Sequence, residues 1–366
     1  MIIALDAMGG DHAPEQIVLG AVQAVTKYDC SIVLVGDKTQ IMEVLSSASG
    51  VNKNKITVVG EHSAEETIED VIERTGRENG WLIVQHTTQV IEMGEHPVEA
   101  MRKKKDASLV VATRLVKDKI CDGVISAGST GGATAIAQIL LRKIKGIDKP
   151  SIATPLPSEH GVTLLLDSGA IVDSKPRDLT QMALMGSIYA EYVFNIKTPR
   201  VGLLNIGEEE TKGNKKMLAT YPLLKQMTTI NFIGNVEGRD IPKGTVDVVV
   251  CDGFVGNIVL KFAEGLAKTM FALIKDAIKN AGILAKLGAM LMMPALKNLA
   301  KRLDADEYGG APLLGVNGCC IICHGSSNAK SICSAVGVAN GYVKNNVLAH
   351  IKESLEKEEM LKNDSE

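Results

Sequence analysis

The sequence predicts an α/β protein with a mainly parallel sheet and helices on both of its faces. Three observations carry that expectation. Short apolar runs alternate with helical stretches along the chain, the order that builds parallel sheets. The first run, Ile2 to Leu5, lacks polar alternation and reads as a strand buried on both faces. Run after run then opens into Gly, Ser, Asn, Asp or His, and several of these loops start a helix. At 366 residues the chain exceeds one ordinary core, so residues 1–366 form one large α/β domain or two subdomains.

The elements follow in order. After the first strand, IIALDAMGGDHAP (2–14) leaves room only for a tight turn. Gly9 and Gly10 permit backbone angles that a side chain forbids and let a ligand approach the main chain. Pro14 fits the first turn of a helix from Glu15 to about Lys27, where its missing N–H is no loss. Further strands are expected at 31–36, 55–60, 81–86, 121–126, 161–167, 200–206, 229–234, 245–252 and 319–325. SAGSTGG and CDGFVGN each lead into a helix. Residues 61–81 are acidic and helix-like.

Residues 265–304 stand apart as an amphipathic helical hairpin. Met270, Leu273, Ile274, Ala277 and Ile278 share one helical face. Pro294 predicts a break, hence two helices joined near LMMP. Between Lys275 and Arg302 six basic residues face one acid, Asp276. Such a pair suits anionic lipid, an acidic protein partner or a dimer interface, and at its plainest packs on its own core. Arg102 to Lys105 form a second basic cluster, a solvated helix face or a docking surface.

Composition narrows the function. A net charge of −3, a pI near 6.2 and 3% aromatics give neither the basic field nor the stacking platforms of a nucleic-acid binder. The N-terminus lacks a secretory leader pattern, and no uninterrupted apolar stretch reaches membrane-spanning length. Seven cysteines, mostly within strand-like runs, read as reduced and buried. Cys319, Cys320 and Cys323 lack the second pair that a zinc site needs, so no metal or cofactor is expected.

The strand ends carry the functional signal. Open α/β sheets bind ligands outside the carboxyl ends of their strands, and helix N-termini there favour anions. Any one such loop is ordinary capping chemistry; DAMGGDHAP and five more point to one shared anion-binding crevice. Neither GxxxxGK[ST] nor a GxGxxG after the first strand occurs, which argues against nucleotide loops.

LDAMGGDHAP, ISAGSTGG (125–132), LLDSGAIVDSKP (165–176), PRVGLLNIGEEETKGN (199–214), FIGNVEGRDI (232–241), DVVVCDGFVGNIVLK (247–261), YGGAPLLGVNG (308–318) and HGSS (324–327) together resemble the bacterial phosphate acyltransferase family. The resemblance runs in order from residue 1 to about residue 350. It departs at Ser129 and Ile171, where the family usually carries Asn, and residues 61–81 look like an insertion. It implies an α/β/α sandwich related to phosphate acetyltransferases and isopropylmalate-type dehydrogenases, working as a homodimer. It further implies transfer of a long-chain fatty acyl group from acyl carrier protein to inorganic phosphate. The acyl phosphate then passes to a glycerol-3-phosphate acyltransferase, which implies a cytoplasmic enzyme in peripheral, reversible membrane contact.

The residue types suit that chemistry. A thioester is already activated and phosphate is itself a nucleophile, so the site must hold phosphate in line and aim donors at the oxyanion. The catalytic candidates are His12, Asp11, Asp252, Asn257 and Lys175. The phosphate- and substrate-binding candidates are Asp6, Gly9, Gly10, Ser126, Ser129, Thr130, Asn205, Glu208, Lys212, Asn235, Gly253, His324, Ser326 and Ser327. Leu291, Met292, Met293 and Lys297 are the candidate membrane or partner contacts. Cys323 beside His324 is not expected to be a nucleophile, because neighbours on a strand point to opposite faces. Three rivals remain: a decarboxylating dehydrogenase, a phosphate acetyltransferase and a non-catalytic scaffold. The first lacks nicotinamide and metal motifs, the hairpin favours a lipid substrate over the second, and the polar strand ends argue against the third.

Overall fold

The computed structural model describes residues 1–75, 78–92, 94–303 and 305–363. Its strands are β1 (Ile2–Asp6), β2 (Ser31–Gly36), β3 (Ile56–Val58), β4 (Leu82–His86), β5 (Gly123–Ser126), β6 (Ser151–Ile152) and β7 (Thr154–Ser158). They continue with β8 (Gly161–Leu166), β9 (Arg200–Leu204), β10 (Asn231–Val236), β11 (Val248–Val250), β12 (Ala311–Leu314) and β13 (Cys319–Ile322). One sheet would have met the sequence expectation; the structure has two. The first runs β3-β4-β2-β1-β5-β13-β12-β6 and the second β10-β9-β11-β8-β7. Pairing is parallel from β3 to β13 and from β10 to β8, and antiparallel at β12 and β7.

Alternation explains why the strands are apolar throughout. Ile3, Leu5, Ile32 and Leu34 enter one core, while Ile2, Ala4, Val33 and Val35 enter another on the opposite face. The first of these cores also takes Leu164, Leu166, Val201, Leu203, Val248 and Val250 from the second sheet. One helical layer, including Glu15–Lys27, Pro176–Val193 and Ala329–Lys344, therefore serves both sheets. The first helix begins at Glu15, with Pro14 as its cap. Asp167, just past β8, joins the sheets: its Oδ1 accepts from the Ile152 N–H at 2.9 Å, and Ser168 N–H donates to the Ile152 carbonyl at 3.1 Å.

Three strands escape a sequence reading. β6 has two residues, and β7 and β12 carry prolines. Pro155 and Pro157 are tolerated because β7 lies at the edge of its sheet. The acidic 61–81 segment forms the helix Ile68–Arg74, started by a Thr67–Asp70 capping box and anchored by Ile68, Val71 and Ile72; residues 76 and 77 lie outside the described residues.

The hairpin differs from expectation. Its helices are Gly253–Asn280 and Ile283–Leu303, and the turn falls at Ala281–Gly282 rather than near LMMP. Pro294 lies inside the second helix, which continues past it. The backbone turns where Ala281 becomes extended and Gly282 follows. Leu291, Met292, Met293 and Lys297 therefore lie along the second helix, while the turn presents Ile283 and the 85% exposed Leu284. Residue 304 lies outside the described residues. The second helix also has the length and mean hydropathy, 1.3, of a candidate membrane span, which the sequence reading had not expected.

Candidate active site

The tips of β1, β5 and β13 meet. Asp6, 2% exposed, accepts from the Ser108 hydroxyl at 2.6 Å and the Ser126 hydroxyl at 2.7 Å. Burial pushes its carboxyl above the usual range despite the serine bonds. Ser126 in turn accepts from Gly128 N–H at 3.0 Å, and Asp11 N–H donates to the Gly325 carbonyl at 2.7 Å. Gly10 sits at φ +110°, which only glycine adopts readily. The space beside Gly9 is filled from within: a Cβ there would stand 2.5 Å from Asp6 Oδ2 and 2.9 Å from Gly128 N. Asp6, Ser126 and Gly9 are thus occupied with one another. Their expected contact with phosphate gives way to a role in locking two loops together, because a buried carboxylate claims every nearby donor.

Around that lock most of the remaining candidates are exposed. Asp11, His12, Thr130, His324 and Ser326 face solvent, and Ser129 caps the helix Thr130–Leu140 through Gly132 N–H. Ser326 N–H donates to His324 Nδ1 at 3.2 Å. A backbone N–H can only donate, so the neutral ring carries its proton on Nε2, free to donate elsewhere. Ser327 is buried and its hydroxyl has no partner among the described residues. Cys323 is enclosed, and burial pushes its thiol up to about 12, so it holds no thiolate at neutral pH. Cys319 and Cys323 belong to one core and Cys320 to the other, on opposite faces of β13.

The second sheet's tips are built differently. Asp252 follows β11, caps the helix Gly253–Asn280 through Val255 N–H at 3.0 Å, and lies 3.3 Å from Lys216 Nζ. Lys216 also reaches Asp173 Oδ1 at 2.6 Å. Burial draws the lysine's pKa down, but the two carboxylates outweigh it and keep it charged. Gly253 N–H donates to the Ile171 carbonyl at 2.9 Å. A Cβ at Gly253 would stand 2.5 Å from Asp167 Oδ2, so this close approach needs glycine. Asp167 itself accepts four backbone N–H groups, from Ile152, Gly169, Ala170 and Ile171. Asn257 is exposed and borders Gly169.

Other candidates spread outward. Asn205 donates to the Lys212 carbonyl, and Asn235 donates to the Glu209 carbonyl while its buried Oδ1 has no partner among the described residues. Lys175 and Lys212 are exposed, and Glu208 approaches Arg239 at 3.7 Å. Sequence reasoning missed Lys216 and Asp167. Lys216 lies two residues past the cap Asn214, in a first helical turn, and that position was its one visible signal. Asp167 ends an apolar run and reads as loop polarity until its four donors are seen.

A family model described as "Fatty acid synthesis protein" matches residues 1–64 and 47–350. Phosphate acyltransferase from Desulfitobacterium hafniense is 51% identical over 356 residues, covering 97% of this chain and 98% of that protein. Phosphate acyltransferase from Heliobacterium modesticaldum is 51% identical over 355 residues, covering 97% and 98%. Among solved structures, a phosphotransacetylase from Streptococcus pyogenes has a TM-score of 0.58 at 14% identity, covering 94% of each chain. A 4-hydroxythreonine-4-phosphate dehydrogenase from Klebsiella pneumoniae scores 0.51 at 12% identity, covering 93% of this chain and 98% of that one. These two likenesses establish the shared fold. With half of its residues shared along nearly its whole length, the chain belongs to the phosphate acyltransferase family, acyltransferases of fatty acid and phospholipid synthesis.

Proposed function

We propose that the chain moves a long-chain fatty acyl group from the thioester of acyl carrier protein to inorganic phosphate. A phosphate oxygen bonds to the carbonyl carbon, the C–S bond breaks, and the carrier's thiolate leaves and takes up a proton. Acyl phosphate and free carrier are the products. Phosphate is the nucleophile, so no protein group needs to attack, in keeping with the enclosed thiol of Cys323. The charged Asp252–Lys216 pair among backbone-rich loops carries this reading within the molecule. There Lys216 offers a cation to phosphate, while the positive dipole ends of helices Gly253–Asn280 and Thr130–Leu140 favour anionic groups. His324 offers its Nε2–H, and His12, Asp11, Asn257 and Lys175 line the approach from exposed positions.

The product serves a glycerol-3-phosphate acyltransferase, so the protein is read as cytoplasmic and peripherally membrane-bound. From Leu266 onward its hairpin exposes apolar side chains along both helices, a surface suited to a second copy of the chain, with the Ile283–Leu284 turn resting on lipid. Arg102, Lys103 and Lys105 are exposed and offer a docking surface for the acidic carrier, whereas Lys104 is already held by Glu95 and the Val90 carbonyl. The test is direct. Purified protein with acylated carrier should release carrier thiol only when phosphate is added; thiol release indifferent to phosphate, or none, refutes the reading. Ile283→Ser combined with Leu284→Ser should weaken vesicle binding while the dimer persists in sedimentation.

A further inference from the structure

Three large apolar side chains stand in the open at the strand tips of the sheet that carries the charged pair. Val172 is 73% exposed, Ile206 80% and Phe254 59%. They follow β8, β9 and β11, which are consecutive in the second sheet. Val172 precedes Asp173 and Phe254 follows Asp252 and Gly253, while Ile206 follows Asn205 at the tip of the neighbouring strand.

These loops are tied together rather than loose. Lys216 Nζ bonds Asp173 at 2.6 Å and lies 3.3 Å from Asp252, so one cation links the loops of Val172 and Phe254. Lys216 belongs to the helix that closes the loop of Ile206. Gly253 N–H donates to the Ile171 carbonyl at 2.9 Å, so Val172 and Phe254 flank a single hydrogen bond. Beyond Phe254, Ile258 and Phe262 repeat at four-residue spacing and are exposed too. Apolar groups fixed in water at three adjoining loops call for an apolar cover. A protein partner seated on them would seal off the Asp252–Lys216 pair, whereas the acyl chain of a thioester reacting at that pair, as proposed above, would cover them and leave the pair open to phosphate.

We propose that Val172, Ile206 and Phe254 form an apolar lip over which the acyl chain leaves the crevice, setting a preference for long chains. This deepens the acyl-transfer reading and rests on it. Each methylene that the lip shields from water should favour the longer donor by about fourfold. The experiment compares kcat/KM for hexadecanoyl- and butyryl-charged carrier protein in the wild type and in Val172→Ser, Ile206→Ser and Phe254→Ser. The long-to-short ratio should fall about tenfold in Phe254→Ser and less in the other two. Phe254→Leu should recover most of it, and Met360→Ser, on a distant exposed apolar residue, should leave it unchanged. An active wild type whose ratio survives all three serine variants overturns the lip alone. Serine variants that dissociate the dimer at constant ratio overturn it as well, by assigning the patch to a second copy. A wild type without phosphate-dependent thiol release overturns the acyl-transfer reading, and the lip with it.

Discussion

The tips of the two sheets use carboxylates in opposite ways. At the first sheet, Asp6 is enclosed and satisfied by two serine hydroxyls and the Met8 N–H. At the second, Asp252 is buried on its loop but shares Lys216 with Asp173, whose side chain is open to water. A carboxylate with its donors internally filled is a fastener. A carboxylate that shares a part-exposed lysine with a second carboxylate holds a cation at the loop tip. The first arrangement holds loops in place and the second is the one we propose for the chemistry, although both arise from an Asp at the end of an apolar strand.

That contrast breaks most visibly at Asp6. Asp6→Ala orphans two hydroxyls and a backbone N–H in the interior and should destabilise by about 3–5 kcal/mol, read as a lower midpoint in urea. An unchanged midpoint would remove the distinction. Next comes Asp252→Asn, which keeps an acceptor for Val255 N–H but loses the charge facing Lys216. Turnover should fall by about 10²-fold while the melting temperature moves little. A fall in stability without a fall in rate would make Asp252 a helix cap only.

A smaller effect sharpens the first half. Burial raises the Asp6 pKa, so the folded state holds this proton more tightly than the unfolded chain. The resulting stabilisation is full below the unfolded value of about 3.9 and is lost as pH rises through the folded value. Asp6→Asn should remove that slope, so the wild type's advantage shrinks from acid toward neutral pH in denaturant titrations. Smallest of all, Lys225→Met breaks an exposed pair with Glu210 and should leave the urea midpoint and the rate indistinguishable from wild type. A large loss there would show that exposed pairs carry more than the contrast allows.

Much of this was legible in the residues. β2 spans the expected 31–36, and the first helix runs from Glu15 to Lys27, because apolar runs and flanking turn residues agree locally. The loops with functional promise were likewise visible as polar strand ends. Capping was visible as an alternative, and Ser129 and Asp252 do cap their helices. The hairpin turn was misplaced because Pro294 is a conspicuous breaker, while Ala281–Gly282 is an unremarkable pair. Pro294 is tolerated within its helix, and the chain reverses where Ala281 leaves helical backbone for an extended conformation.

By itself the sequence determined the α/β class, the order of the main strands and helices, and which loops are rich in donors. Those follow from local periodicity and turn chemistry, which act over a few residues. Tertiary structure alone decided that the sheet divides in two, that Asp6 is sealed while Asp252 meets Lys216, and that the strands leading to Val172, Ile206 and Phe254 are neighbours in one sheet. Burial and pairing depend on contacts between residues far apart in the chain, such as Asp6 with Ser126 and Lys216 with Asp252. A carboxylate's role is set by which donors reach it, and no local pattern encodes that.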